Sequence, residues 1–384
     1  MLRRRLGSRL RTPFPYVAGN SVDPLEHGAH FYERMIAAID ASERTVDVEM
    51  YLWDDDEVGR AFVNSLLRAA RRGLRVRVLV DAYGARAVVG LLDEVNAAGG
   101  DVRLFNPFRF RLWRRLFQRT HKKLLLLDGA VAFSGGAGFS VHFSGGKHSE
   151  RAWHDRMFEL RGPVVTQLEV LFENDFARWR LSASCTPDPA RAAPTLAPPP
   201  ATGPTTMRVL RGWPDTRDFP AVVVEAIRGA RERVWIGTPY FVPPHRVRLA
   251  LYQAAARGVD VRVVHPCLAH SHPLFHYAVR ARYGRWMRKK VRIAEFAPSF
   301  YHAKLFVVDR SLAIIGSSNF DSWSWVRNSE IDFAVTDAET VDRVASLFTA
   351  DLARSREITQ EDARVRTLLV LVKQSIASWF EKWL

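Results

Sequence analysis

The sequence predicts an α/β fold of two repeated halves, each a mixed, mostly parallel sheet flanked by helices, related by a pseudo-twofold axis. Two observations predict it. Helix-like and strand-like segments follow one another in the same order in both halves, and each half ends in a copy of the same motif. Alternating strands and helices favour parallel strands with helices on both faces of the sheet.

The repeated elements can be placed in order along the chain. In each half an amphipathic helix-like segment precedes a strand, and after a second helical stretch comes a second strand. These segments are residues 30–42, 45–52 and 71–81, repeated as 220–231, 233–240 and 256–265. Gly73 and Gly258 precede the second strand at equivalent places, where glycine supplies a left-handed helix end.

A stretch rich in Pro, Ala and Thr divides the chain. Residues 182–206 contain almost no large apolar side chains, so they cannot form a core and are typical of a semi-rigid linker. We therefore expect a first half at 1–181 and a second half at 207–384.

The composition is that of a globular protein, with 47% hydrophobic and 25% charged residues among 384. Wholesale disorder, collagen and a simple coiled coil are excluded. The net charge of +15 favours anionic partners, namely nucleic acid, anionic lipid or phosphorylated substrates. With two cysteines, Cys185 and Cys267, a disulfide framework is excluded and a reducing compartment fits.

Membrane insertion is not predicted. No apolar run reaches the roughly 18 residues of a transmembrane helix. The basic start of the chain, residues 1–11, lacks the continuous apolar stretch of a signal peptide. We expect a cytoplasmic or peripheral membrane protein.

The repeated motif has the form His-x-Lys, four apolar residues and Asp. Its two copies are His121, Lys123 and Asp128, and His302, Lys304 and Asp309. The four apolar residues predict a buried strand, and residues i and i+2 of a strand face the same side. Each His therefore points with its Lys, and packing of the halves about the axis would bring all four side chains together.

Two histidines and two lysines at one point suit a phosphate group. The lysines can bind non-bridging oxygens and offset charge in the transition state. A neutral His can attack phosphorus while a protonated one supplies a proton to the leaving oxygen. For the aspartates an alternative stays open, because Asp128 followed by Gly129 also makes a good hairpin turn.

The doubled motif resembles the phospholipase D superfamily over nearly the whole chain, and within it the bacterial cardiolipin synthases without membrane spans. The resemblance implies two-step phosphatidyl transfer through a phosphohistidine, with no metal and no other cofactor. It makes His121 the nucleophile and His302 the general acid and then base, although a site this symmetric allows the reverse.

Further site residues follow from the same resemblance. Asp155 and Glu330 match the carboxylates that hold the imidazoles, with two questions open: which serves which His, and whether either is an ordinary strand-end charge. Ser317 and Asn319, in the small-residue turn after the second motif, are expected to bind substrate. Gly138 departs from the family, which often has Asn there.

Segments outside the motifs favour lipid over nucleic acid. Residues 106–119 and 277–290 interleave arginines with bulky aromatic and apolar side chains, which suits an anionic bilayer surface and also suits nucleic-acid binding. The apolar C-terminal segment 366–384 could lie in a bilayer surface or pack as a closing helix.

The resemblance implies an enzyme that makes cardiolipin from phosphatidylglycerol, and together with the basic aromatic segments it leads us to expect a peripheral protein on the cytoplasmic side of the cell membrane. The alternatives are a phospholipase that uses water as acceptor, and a nuclease. A non-catalytic scaffold is disfavoured because both His and both Lys are present. The oligomeric state stays open.

Overall fold

The computed structural model describes residues 13–25, 28–107, 118–144, 152–179, 198–212, 218–267, 277 and 279–364. The predictions made for the core of the first basic aromatic segment, for most of the linker and for both chain ends lie outside these ranges.

The structure is built on one large mixed sheet with two short strand pairs beside it. The first-half strands are β1 (Val17–Leu25), β2 (Thr45–Met50), β3 (Arg75–Asp81), β4 (Asp101–Phe105), β5 (Arg119–Thr120), β6 (Lys123–Leu127), β7 (Val131–Gly135) and β8 (Met157–Arg161). The second-half strands are β9 (Thr205–Arg211), β10 (Arg233–Gly237), β11 (Phe241–Val242), β12 (Asp260–Pro266), β13 (Arg292–Phe296), β14 (Leu305–Val308), β15 (Leu312–Gly316), β16 (Phe320–Asp321), β17 (Asn328–Ser329), β18 (Ile331–Val335) and β19 (Ser355–Glu357).

Helices cover both faces of the sheet. They are α1 (Gly28–Asp40), α2 (Glu57–Arg71), α3 (Val89–Ala97), α4 (Val164–Arg178), α5 (Asp218–Gly229), α6 (His245–Ala256), α7 (Tyr283–Arg288), α8 (Ser322–Val326), α9 (Ala338–Ala353) and α10 (Gln360–Arg364). A typical case is α2, which is capped by Asp56 and buries an apolar stripe that includes Phe62 and Leu66. Among the helices of the described ranges, none has the length and apolar character to cross a membrane.

The strand order confirms the predicted duplication. Outward from the central antiparallel pair β1–β9, the order is β8, β7, β6, β2, β3, β4 on one side and β18, β15, β14, β10, β12, β13 on the other. The two series match strand for strand, as a pseudo-twofold axis between β1 and β9 requires. The second half carries β19 as an additional edge strand.

Parallel pairing is less extensive than predicted. It joins β2, β3 and β4 in the first half and β10, β12 and β13 in the second, whereas the other neighbours in the large sheet are antiparallel. The reason is that each motif strand turns straight back as a hairpin, β6 into β7 and β14 into β15. Within the large sheet, only the repeated strand–helix–strand units give parallel neighbours.

Element boundaries shift by a few residues at glycines and at the linker. The strand predicted from residue 71 begins at Arg75, because α2 continues to Arg71 and Gly73 then takes a positive φ of 83°. Strand β9 already includes the last two residues of the predicted linker, with Asn20 donating to the Thr205 carbonyl over 3.0 Å.

A continuous apolar core joins the halves. It contains Leu171 and Phe172 of α4 together with Leu347 and Phe348 of α9, packed under the central strands of both halves. Burial of this apolar surface favours one relative placement of the halves. The two motifs are therefore held in a fixed relation.

Candidate active site

The two motifs meet across the pseudo-twofold axis at equivalent backbone contacts. The His121 amide donates to the Ser329 carbonyl over 2.8 Å, and the His302 amide donates to the His154 carbonyl over 2.8 Å. Each acceptor immediately precedes a carboxylate residue of the opposite half. Each histidine is thus fixed, through its own backbone, beside the other half's carboxylate.

The histidine–carboxylate pairs are formed crosswise between the halves. His121 Nδ1 lies 2.9 Å from Glu330 Oε2, and His302 Nδ1 lies 2.5 Å from Asp155 Oδ2. This answers the question that the sequence left open. A carboxylate at Nδ1 favours the tautomer with its proton there, which leaves the Nε2 lone pair of His121 for chemistry. At His302, Lys304 Nζ lies 3.3 Å from Nε2.

Both motif lysines lie in the same cluster. Lys123 Nζ donates to the His121 carbonyl over 2.7 Å, while Lys304 Nζ lies 2.6 Å from His302 Nδ1 and 3.5 Å from Asp155 Oδ2. Lys123, His302 and Lys304 are buried, and the His121 side chain is 12% exposed. The charge of each lysine also lowers the pKa of the histidine in the other copy, as the predicted convergence of two histidines and two lysines requires.

Burial controls the protonation of this cluster. It lowers the pKa of His302 to about 3, with the charge of Lys304 adding to the effect, and it lowers the pKa of His121 against the opposing influence of Glu330. It also lowers the pKa of Lys123 to about 7 and that of Lys304 to about 8. Without substrate, both imidazoles are therefore neutral at neutral pH.

The carboxylates keep their charge in spite of burial. Burial by itself would raise the pKa of Asp155, but Lys304 and His302 hold it below its usual value. For Glu330 burial likewise opposes the shift, and His121 and Lys123 hold the pKa down. Each carboxylate is thus an anion that can accept the Nδ1 proton of its histidine.

Glu330 accepts hydrogen bonds from a set of donors that was not predicted from the sequence. The hydroxyls of Ser317 and Ser324 each donate to it over 2.6 Å, and the Asn328 amide lies at 3.4 Å. Ser317 was predicted to bind substrate; instead, its fully buried hydroxyl is used to position Glu330. Ser324 and Asn328 were missed, because neither belongs to a motif.

The turns after the two motifs differ in the space they leave. At Gly136, the counterpart of Ser317, a Cβ atom would lie 2.3 Å from Asp155 Oδ1, so glycine makes room for this carboxylate. At Gly138 a Cβ atom would lie 2.5 Å from the Leu52 carbonyl oxygen, which explains the absence of the family's Asn. Asn319, its counterpart, is buried with no hydrogen-bond partner for Oδ1, and its role in substrate binding stays a prediction.

The assignment of Asp128 and Asp309 to the catalytic set is wrong. They lie at the far ends of β6 and β14, roughly 16 Å along the strand from the motif lysines. Asp128 has a φ of 54° and accepts from the backbone amides of residues 43, 44 and 45, and Asp309, with a φ of 50°, does the same for residues 231, 232 and 233. Both fasten the hairpin turn to the start of the neighbouring strand, which is the alternative left open above.

Aromatic side chains that sequence reasoning missed line the cluster. Ring centroids of Trp153, Phe143 and Phe300 lie 5.1, 5.5 and 6.0 Å from that of His302. On the other side Tyr51 lies 4.9 Å from His121. They come from separate loops, and the one available signal was that Trp153 stands two residues before Asp155.

The chain is similar to known cardiolipin synthases. The family described as "Cardiolipin synthase, PLD-like domain" matches residues 35–174 and 223–352. Cardiolipin synthase A of Pseudomonas entomophila (strain L48) is 33% identical, over 91% of this chain and 72% of the relative. Cardiolipin synthase A of Pseudomonas aeruginosa (strain LESB58) is also 33% identical, over 92% of this chain and 71% of the relative.

Solved structures share the fold. The phosphatidylserine synthase of Haemophilus influenzae Rd KW20 has a TM-score of 0.74 at 14% identity, covering 100% of this chain and 98% of its own. A polyphosphate kinase from Porphyromonas gingivalis has a TM-score of 0.58 at 13% identity, covering 95% of this chain and 53% of its own. At these identities the similarity concerns the fold.

Proposed function

The chain belongs to the cardiolipin synthase, PLD-like domain family, and from this membership we propose that it moves a phosphatidyl group from one phosphatidylglycerol to another, making cardiolipin and glycerol. The resemblance to the phospholipase D superfamily is confirmed by this membership. The observation that carries the proposed chemistry is the pair of crosswise histidine–carboxylate contacts with a lysine beside each.

In the first step the phosphodiester of the donor lipid binds between the two lysines. Nε2 of His121 attacks phosphorus, because Glu330 accepts a hydrogen bond from Nδ1–H and so leaves the lone pair on Nε2. A phosphorus–nitrogen bond forms and the phosphorus–oxygen bond to glycerol breaks. His302 gives its proton to the glycerol oxygen as it leaves.

His302 takes up its proton from solvent when the substrate binds. In the free site burial and Lys304 hold the pKa of His302 at about 3, so the imidazole is neutral. An anionic phosphodiester offsets the positive charge of the two lysines, and this raises the pKa of an adjacent imidazole. Protonation of the general acid is therefore coupled to binding, and the neutral form is assigned to His121 because an attacking nitrogen needs its lone pair.

In the second step the neutral His302 takes the proton of a hydroxyl group on a second phosphatidylglycerol. The hydroxyl oxygen attacks phosphorus, the phosphorus–nitrogen bond breaks, and cardiolipin leaves. Water is the competing acceptor. Trp153, Phe143 and Phe300 crowd His302 with apolar surface, which disfavours water at the general base and supports transfer over hydrolysis.

We place the enzyme at the cytoplasmic face of the membrane as a peripheral protein with an anionic phospholipid partner. Its substrates are bilayer lipids, and a net charge of +15 suits the negative surface potential of that leaflet.

The test is product analysis by mass spectrometry after incubation of the purified chain with phosphatidylglycerol vesicles and a chelator. Cardiolipin with an equivalent of glycerol supports the proposal, and the same yield with or without chelator supports metal-free chemistry. Phosphatidic acid alone would indicate a hydrolase. Unchanged lipid, with cleavage of DNA or RNA in the same buffer, would indicate a nuclease.

A further inference from the structure

Two exposed apolar side chains lie on segments next to β5 and β17, the strands that precede His121 and Glu330. In the described part of the chain the large apolar side chains that are exposed are Tyr16, Tyr83, Leu249 and Val326. Tyr83 comes from the first half and is 60% exposed, and Val326 comes from the second half and is 56% exposed. Exposed apolar groups beside a binding site indicate contact with another surface.

The pairing of β5 with β17 brings together the segments that carry these two side chains. The strands pair in parallel, with Arg119 opposite Asn328. The Arg119 guanidinium lies 5.2 Å from the centre of the Tyr83 ring, and Val326 stands two residues before Asn328. His121 directly follows β5 and Glu330 directly follows β17, so the same pairing holds the catalytic pair beside this surface.

The surroundings are basic. The contributing segments 82–88, 118–120 and 322–328 contain three arginines and neither Asp nor Glu. The Arg86 guanidinium lies 5.7 Å from the Tyr83 ring centre, and that of Arg327 lies 4.5 Å from the Trp323 ring centre. Aromatic and aliphatic groups among arginines suit the boundary between headgroups and acyl chains of an anionic bilayer.

We propose that this surface docks the enzyme onto the headgroup region of an anionic phospholipid bilayer, with the His121–Glu330 pair towards the membrane. We call it the mouth patch, and it consists of Tyr83, Arg86, Arg119, Trp323, Val326 and Arg327. The inference rests on the proposed function, which it deepens by naming the surface that meets the lipid. Val326 favours lipid over nucleic acid, because an aliphatic side chain gains from an apolar phase and offers no ring on which a base can stack.

The chain offers a matched pair of variants for the test. The double substitution Tyr83→Ser and Val326→Ser removes the apolar groups of the mouth patch, and Tyr16→Ser with Leu249→Ser removes equivalent groups elsewhere. Flotation of each full chain with phosphatidylglycerol vesicles and with neutral phosphatidylcholine vesicles gives the partition coefficient. Thermal unfolding verifies that both variants are folded, which is expected because all four side chains are exposed.

We expect the mouth-patch variant to lose about tenfold or more in partition to the anionic vesicles, as removal of membrane-buried apolar surface requires. The Tyr16/Leu249 variant is expected to partition like the wild type. Equal partition of the two variants would overturn the inference. So would a loss of DNA or RNA binding with vesicle binding unchanged, which would assign the patch to nucleic acid.

Vesicle binding is measured without turnover. The proposed docking surface and the proposed function can therefore be refuted independently of each other. If the wild type makes cardiolipin but both variants bind vesicles alike, the mouth patch is wrong and the proposed function stands. If the mouth-patch variant loses binding but the wild type makes no cardiolipin, the docking surface stands and the proposed function is wrong.

Discussion

The two active-site histidines hold the same place in the repeated motif but lie in different surroundings. Glu330, the partner of His121, receives additional hydrogen bonds from two serine hydroxyls. Asp155, the partner of His302, receives no serine hydroxyl among the described contacts. It accepts a hydrogen bond from the Arg156 amide over 2.8 Å, and Lys304 Nζ lies 3.5 Å from it. A nucleophile gains from a rigidly held partner, and an acid–base group gains from a site whose charge changes with substrate. The asymmetry supports His121 as the nucleophile.

Ser324 is predicted to act through Glu330 on His121. In Ser324→Ala we expect kcat/KM to fall about tenfold. The acidic limb of the pH profile of kcat/KM should also move to higher pH, because loss of this hydrogen-bond donor raises the pKa of Glu330. Steady-state kinetics across pH 4 to 8 measures this. Ser322→Ala, in the same short helix, is the control. An unchanged acidic limb in Ser324→Ala would contradict the positioning role.

The lysines predict the alkaline behaviour of substrate binding. Burial lowers the pKa of Lys123 to about 7 and that of Lys304 to about 8, so each loses its positive charge as the pH rises through its value. An anionic phosphodiester then binds less tightly, and we expect KM to rise between pH 7 and 9 with a smaller change in kcat. In Lys123→Arg the side chain keeps its positive charge over this range, so the increase in KM near pH 7 should be smaller than in the wild type. A KM that is independent of pH in the wild type would refute the account.

Trp153 is predicted to control the choice between lipid and water as acceptor. Its ring shields His302, so in Trp153→Ala we expect the ratio of phosphatidic acid to cardiolipin to rise about tenfold as water gains access. Quantitative lipid mass spectrometry gives this ratio independently of the total rate. Trp153→Phe keeps an apolar wall and should stay near the wild-type ratio. A constant ratio in Trp153→Ala would remove the shielding argument.

At the scale of elements, the hairpin that follows each motif strand has a structural anchor. Asp128→Ala and Asp309→Ala each remove a carboxylate that accepts three backbone amides, and we expect each to lower the free energy of unfolding by about 2 kcal/mol. Activity per folded molecule should hold, because the groups lie at the far ends of the strands. Denaturant unfolding and kcat at low temperature measure the two effects. Loss of kcat at normal stability would return these residues to the catalytic set.

The elements that were predictable from sequence are those set by local pattern. The four apolar residues of each motif located β6 and β14, and the positions of Gly73 and Gly258 marked the helix ends. The i and i+2 argument was wrong in detail, because His121, His302 and Lys304 lie just before these strands. The crosswise pairing with Asp155 and Glu330 was not predictable, because it depends on how the halves dock rather than on spacing. Asp128 was misassigned because a motif shows only which residue types occur together. It does not distinguish a catalytic side chain from one that fastens the end of a strand. The apolar wall was missed since its members come from separate loops.

At the scale of the whole molecule, the active site exists only in the combined structure. Each catalytic histidine–carboxylate pair takes one residue from each half, His121 with Glu330 and His302 with Asp155. The continuous sheet through β1 and β9 and the shared core under α4 and α9 fix the relation between them. The duplicated fold therefore yields a single two-histidine centre, and changes at the junction of the halves act on both catalytic pairs together.

The most direct test of this account traps the covalent intermediate. A phosphatidyl ester with a good leaving group needs no proton from His302, so in His302→Ala the first step proceeds while the second stalls. After an alkaline quench, peptide mass spectrometry is expected to find the phosphatidyl group on His121, and no adduct in His121→Ala. An adduct on His302 in His121→Ala, or turnover by either variant at the wild-type rate, would contradict the proposed mechanism.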